Sequence, residues 1–370
     1  MRACALSQLS SSRIESAMST PALVFPKVQN DTSKIQLERI SHVYFEHNDL
    51  VATETFLQNF GLIEAWRGEH EVAYRGYGVD QICYVAKRTS GLPAYRGVAF
   101  VARSQADFGK AVNLSAGTVA EDLGYPGGGK RITLHTPSGF PFHVIYGQED
   151  RNEPKAPSMG VQVENLGPFN GSIKKERLGE FQRLRPGPAM VHKLGHHGFV
   201  LQDPVADFQW YTSLFNFVPS DVQHVPSPAP GGGEMDVIAF LHLDLGEKFS
   251  DHHSLFVSRG QPGEADRMHH TSFEVESFDA QLLGHDWLAK KGYESVWGVG
   301  RHILGSQIFD YWRDPTGFTI EHYADGDVVN VHTATGHGRA GPLAVWGPEI
   351  PKDFEDGSLT VAHRVNSVPT

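Results

Sequence analysis

The sequence predicts an α+β protein built from two tandem, related modules. Three observations point there. Strand-like runs rich in aromatic and β-branched residues alternate with short helical stretches. The same order of elements occurs twice along the chain. Thirty-nine Gly and 22 Pro supply the turns that many short strands need. At 370 residues, with 40% hydrophobic and 11% aromatic content, the chain can bury more than one ordinary core.

In the first half, residues 37–45 (LERISHVYF) read as a strand. Residues 50–60 have helical spacing, with Gly61 beyond them as a cap. Strand-like runs follow at 81–87, 97–102 and 132–135, with a short helix at 104–114. A TPSG turn at 136–139 leads into FPFHVIY at 140–146. Residues 149–185 are charged and broken by Pro154, Pro157 and Pro168, as a linker would be.

From residue 191 the order returns. HKLGHHGFVL (192–201) is a strand, and Asp203 with Pro204 opens a helix that runs to Phe215. Residues 223–234 read as a Pro/Gly-rich loop. Strands follow at 237–243, 254–258 and 271–275, then a helix at 277–291 with Gly292 past its end. GRHILGSQIFDYWRDPTGFTIE (300–321) closes the unit. The expected organisation is an arm at 1–34, disordered or a weak targeting segment, and a metal-free module at 35–150. A linker at 151–190, a catalytic metal module at 191–330 and a tail at 331–370 follow, the tail packing on that module or at a subunit contact.

A net charge of −11 argues against nucleic acid or an anionic membrane as the main partner. Two cysteines, Cys4 and Cys83, exclude a disulfide framework or a cysteine-built zinc site. No apolar run is long enough to span a bilayer. The Ser-rich start has no apolar h-region. Arg2 and Arg13 with the single acid Glu15 leave organelle targeting as the alternative to a cytoplasmic protein.

Chemistry concentrates in 300–321, which holds His302, Tyr311, Asp314 and Glu321. DPTG is a tight turn between two strands, and along the second strand Thr319, Glu321 and Tyr323 share one face. A carboxylate held in mid-strand is costly to bury without a partner. A lone Glu is more often a surface or salt-bridged residue, so a metal role needs two histidines from elsewhere.

The repeat supplies them. RISHVYF (39–45) matches KLGHHGF (193–199), YRGVAFVARSQADF (95–108) matches MHHTSFEVESFDAQ (268–281), and TPSGFPFHVIYG (136–147) matches DPTGFTIEHYAD (314–325). This register sets His42 against His196, Gly97 against His270 and His143 against Glu321. The second half therefore carries a complete set, His196, His270 and Glu321, and the first half an incomplete one. Two imidazoles and a carboxylate with open positions suit a non-haem Fe(II) centre, with Mn(II) the other ion such a set accepts. His197, His252 and His269 are expected to point off the site, because neighbours on a strand face opposite ways.

The closing stretch resembles the signature of the type I extradiol ring-cleavage dioxygenases, with Gly-x-His, an aromatic-Tyr pair, Asp-Pro-x-Gly and Glu in order. LGHHGF and MHHTSF resemble the segments carrying that family's two metal histidines. The resemblance covers residues 35–327 and implies the vicinal oxygen chelate fold, in which paired βαβββ modules form an open barrel around the metal. It implies the same triad, His196, His270 and Glu321. It also implies an acid–base role for His253 in DHHSLF, and substrate-oxygen contacts for His302 and Tyr311. These roles are sound physically, because a catechol must lose protons to chelate a metal and histidine titrates in the useful range.

The expected activity is thus ring cleavage of a small aromatic diol with O₂ by a homo-oligomer. Two readings compete with it: another enzyme of the fold, such as a glyoxalase-like lyase or a 4-hydroxyphenylpyruvate dioxygenase-like enzyme, and a metal-free protein that binds an aromatic ligand.

Overall fold

The structure, a computed structural model, describes residues 23–352 and 354 except 116, 153–162, 165–168 and 229–230. The first module runs β1 (Leu37–His47), α1 (Leu50–Asn59), β2 (Ile63–Arg67), β3 (Glu71–Arg75) and β4 (Tyr84–Arg88). It then repeats that order as β5 (Ala94–Ala102), α2 (Gln105–Leu114), β6 (Glu121–Asp122), β7 (Lys130–His135) and β8 (Pro141–Tyr146). A small pair, β9 (Val163–Glu164) and β10 (Arg183–Leu184), lies between the modules in sequence.

The second module begins with β11 (Val191–Leu201), α3 (Pro204–Leu214), β12 (Phe217–Pro226), β13 (Glu234–Leu243), β14 (Ser250–Asp251) and β15 (Leu255–Arg259). Its second half is β16 (Arg267–Val275), α4 (Phe278–Lys290), β17 (Glu294–His302), β18 (Ile308–Arg313) and β19 (Thr319–Ala324). The tail adds β20 (Val328–Val329), β21 (Gly336–Arg339) and β22 (Ala344–Trp346).

Each module is therefore a pair of βαβββ units sharing one curled sheet. The first sheet has the order β2-β3-β4-β1-β5-β8-β7-β6. The second repeats it as β12-β13-β15-β11-β16-β19-β18-β17, with β21 and β22 on its two edges. In both, the two units join through a central antiparallel pair, β1 with β5 and β11 with β16. The folding signals repeat as well. Asp49, Ser104, Asp203 and Ser277 each cap a helix by accepting the backbone N–H three residues on.

The modules share one apolar core, in which Phe60, Phe100 and Phe142 of the first lie with Phe199, Phe217 and Phe273 of the second. Asn216 stitches them together: its Oδ1 accepts from Leu37 N–H at 2.8 Å and its Nδ2 donates to Leu37 O at 2.9 Å. The alternation expected around Glu321 holds. His322, on the opposite face of β19, stacks on Phe60 and donates to the Phe60 carbonyl at 2.7 Å.

Two expectations change. Residues 223–234 are not one loop, because β12 continues to Pro226 and β13 starts at Glu234, with Val222 paired to Ala239. β2, β3 and β17 are strands with no counterpart in the sequence reading. IEAWR carries charges along a half-exposed strand, and in EVAYR only three buried residues stand between charged ends, which weakens the apolar signal in both. Residues 1–22 of the arm and 355–370 of the tail lie outside the described residues. Arm residues 23–34 run over the second module, where the Phe25 ring packs at a tilt against Phe208 and its N–H donates to Asp236. No helix among the described residues is long and apolar enough to cross a membrane.

Candidate metal centre

The strand register builds the site. In the second sheet His196 pairs with Ser272, and Ser272 with Glu321 across the next strand. His270 lies two residues before Ser272 on β16. The three side chains meet on the inner face of the curl, with ligand atoms within 4.8 Å of one another. His196 Nε2 is 3.2 Å from His270 Nε2. Glu321 Oε2 is 3.2 Å from His196 Nε2 and 3.3 Å from His270 Nε2. All three residues are buried, Glu321 completely.

The donor set fits a divalent cation. Despite those short separations, neither carboxylate oxygen of Glu321 receives a well-directed hydrogen bond, and His196 Nδ1 has no partner. A protein seldom buries a carboxylate in that state. An ion bonded at roughly 2.1 Å keeps adjacent ligand atoms roughly 3 Å apart, close to the spacing found here. Burial works to raise the Glu321 pKa, but the facing His196 and His270 outweigh it and hold the carboxyl well below its usual range. Burial likewise lowers the pKa of His196, favouring the neutral imidazole that a metal needs. With His270 Nε2 turned to Glu321, its Nδ1–H is left to donate to His269 Nδ1 at 2.7 Å.

Around the triad stand the other residues singled out in the sequence. The His253 ring lies 4.1 Å from that of His196. Tyr311 pairs with Glu321 across β18 and β19, and its ring lies 5.0 Å from His270. The Tyr311 hydroxyl donates to His302 Nε2 at 2.9 Å, while His302 Nδ1–H donates to the Leu343 carbonyl at 3.1 Å. Burial lowers the His302 pKa to about 4 and, with the charge of Glu321, pushes Tyr311 well above its ordinary value. Both are neutral near pH 7. Asp314 does not join them: its Oδ1 accepts from Thr316 N, Thr316 Oγ1 and Phe318 N and so holds the DPTG turn.

Residues 193–322 match the family model described as Glyoxalase/Bleomycin resistance protein/Dioxygenase superfamily. The chain is 28% identical over 324 residues to metapyrocatechase 2 of Cupriavidus necator, covering 85% of this chain and 90% of that one. Homoprotocatechuate 2,3-dioxygenase of Brevibacterium fuscum, solved with 3,4-dihydroxyphenylacetate, aligns with a TM-score of 0.67 at 16% identity. That alignment covers 90% of this chain and 94% of the other. The Mn(II)-bound glyoxalase of Novosphingobium aromaticivorans aligns with a TM-score of 0.66 at 18% identity, covering 86% and 95%.

Residues 193–322 thus carry the sequence pattern of the glyoxalase/bleomycin resistance protein/dioxygenase superfamily. The fold of the chain is the vicinal oxygen chelate fold.

The first module repeats the register of the second: His42 pairs with Ala99, and Ala99 with His143. There, however, each ring nitrogen has a protein partner. His42 meets Ser41 Oγ at 2.9 Å and the Tyr44 hydroxyl at 2.7 Å. His143 meets Thr133 Oγ1 and the Arg96 carbonyl, both at 2.9 Å. Gly97, at φ +110°, leaves the gap that the His143 ring fills; a Cβ there would sit 2.4 Å from His143 Nε2.

Of the three histidines expected off the site, His197 is off it, packed between Phe199 and Phe100 with neither ring nitrogen bonded. His252 and His269 are not, since each bonds the ring of its neighbour. His252 lies in a bend before β15, and a register shift between Gly198 and Phe199 breaks the alternation opposite His269.

The sequence reading also passed over Asp221, Leu343 and Phe354. Asp221 Oδ2 accepts from His252 Nε2–H at 2.8 Å. Phe354 lies against Tyr311, Trp297 and His269. A cleft of about 600 Å³ is lined by Asp221 and His252 together with Ile303 and Asp327, and by none of the triad.

Proposed function

We propose that this chain is an extradiol dioxygenase that opens the ring of a catechol-type diol with O₂ at a metal held by His196, His270 and Glu321. Fe(II) is the ion the set suits best, and Mn(II) the other. One observation carries the reading: two buried imidazoles converge at 3.2–3.3 Å on a buried carboxylate that lacks hydrogen bonds. The likeness to metapyrocatechase 2 over most of both chains supports it.

When bound, the ion would hold diol and O₂ side by side and ease ionisation of the diol. Tyr311 keeps its proton and turns a hydroxyl toward the diol. His302 accepts from that hydroxyl and is oriented by Leu343. The pair binds and orients substrate oxygen. His253, neutral and buried against His196, moves a proton at Nε2. Both atoms of O₂ enter the product, so the reaction needs no outside reductant.

The test is metal content with oxygen uptake on a panel of catechols. The iron-loaded chain should consume one O₂ per diol and give a yellow ring-fission product. His196→Ala, His270→Ala and Glu321→Ala should each lose the metal and the turnover. Normal metal content in any of the three would mean that the triad is wrong.

A further inference from the structure

A second cluster lies apart from the triad, on the edge of the second sheet. His224 on β12, Glu234 at the start of β13 and His337 on β21 bring ligand atoms within 4.8 Å of one another. The three come from adjacent strands, because β12 pairs with β13 on one side and with β21 on the other. The His224 and His337 rings lie 4.8 Å apart at 26°. His224 Nε2 is 3.2 Å from Glu234 Oε1. His337 Nε2 is 3.0 Å from Asp236 Oδ1, and Asp236, only 1% exposed, is fixed by the Phe25 N–H at its other oxygen. His224 Nδ1 is buried with no hydrogen-bond partner.

We propose that His224, Glu234 and His337 bind a second divalent metal ion, which staples the tail strand β21 to the sheet. Two imidazoles and a carboxylate suit a late first-row ion such as zinc. Asp236 is the carboxylate that orients His337, the arrangement that fixes tautomer and ring angle in histidine ligands. Exposed His–carboxylate contacts alone hold a strand only weakly. A metal would tie all three side chains at one point. The staple bears on the neighbouring network, since Gly336 of β21 comes so close to Asp221 that a Cβ there would lie 1.9 Å from Asp221 Oδ1.

The test is zinc uptake by the iron-loaded full chain, measured by equilibrium dialysis and elemental analysis. The parent should take up one more equivalent than His224→Ala or His337→Ala, both checked for folding by circular dichroism. His332→Ala, an exposed histidine paired with Glu247, should match the parent. In the parent alone, zinc should slow amide exchange across 336–339 at least tenfold. Equal uptake by parent and His337→Ala, or exchange indifferent to zinc, would overturn the proposal. Displacement of iron from the triad would be common to parent and variants, so the one-equivalent difference is independent of the first site. Glu321→Ala should keep it.

Discussion

His252 Nδ1 lies 3.1 Å from His253 Nδ1. Because Asp221 accepts from the other nitrogen of His252, the bonding runs one way. His252 carries its proton on Nε2, so its Nδ1 accepts from His253 Nδ1–H. That leaves the lone pair of His253 on Nε2. With His253 as the proposed acid–base group, Asp221 and His252 are positioning residues that fix its ring.

His253→Phe should keep its metal and bind catechol within a few-fold of the parent. Its kcat should fall by ~10²–10⁴, the usual contribution of a general acid–base group. Asp221→Asn should lose less and should shift the pH profile of kcat, which a merely structural change would not do. Anaerobic catechol binding and single-turnover rates separate these effects. A loss confined to KM would place His253 in the pocket wall instead.

His302→Phe should weaken anaerobic catechol binding as well as turnover, because it removes the acceptor that holds the Tyr311 hydroxyl. Tyr311→Phe should reproduce most of that loss, and the double variant should add little to it. Fully additive losses would mean that the two residues act separately.

The register of the site was legible in the sequence because it is written twice. KLGHHGF, MHHTSF and GFTIEHY align with RISHVYF, YRGVAF and GFPFHVI, so the repeat alone brought His196, His270 and Glu321 to one place. What could not be read depends on backbone or on long-range pairing. Leu343 acts through its carbonyl, which any residue supplies. Asp221 meets His252 only because β12 and the bend before β15 lie side by side. Alternation misplaced His269 because the bulge opposite it has no sequence mark.

In the first module, His42→Ala and His143→Ala should leave metal content and turnover unchanged, since both rings are already bonded to protein groups. Gly97→Ala should be strongly destabilising, because a side chain there adds strain at positive φ to a clash with His143 Nε2 and the Pro141 carbonyl. Calorimetry and iron analysis check both. Iron lost from the His42 variant would contradict the account.

Acid should destabilise the chain. Burial chiefly lowers the pKa of His47 to about 4, of His143 to about 3 and of His242 to about 4. The fold therefore favours their neutral forms. Their contribution is complete above the unfolded value near 6.5 and is lost as pH falls toward the folded values, each by about 1.4 kcal/mol per pH unit. Asp314, raised by burial to about 6, works the other way, as do Asp80, Asp207 and Asp310. The buried histidines held below their ordinary value, His197, His302 and His322 among them, outnumber these acids. Tm should fall steadily from pH 7 to pH 5, and less steeply in His47→Gln. A Tm that is flat across that range would contradict this.

The central claim is that the His196, His270 and Glu321 centre inserts both atoms of O₂ beside a diol. Turnover of a catechol by the iron-loaded chain under ¹⁸O₂, followed by mass spectrometry of the product, tests it most directly. The account predicts a ring-opened product carrying two ¹⁸O atoms. A product with no added oxygen, as a lyase or isomerase would give, would contradict it.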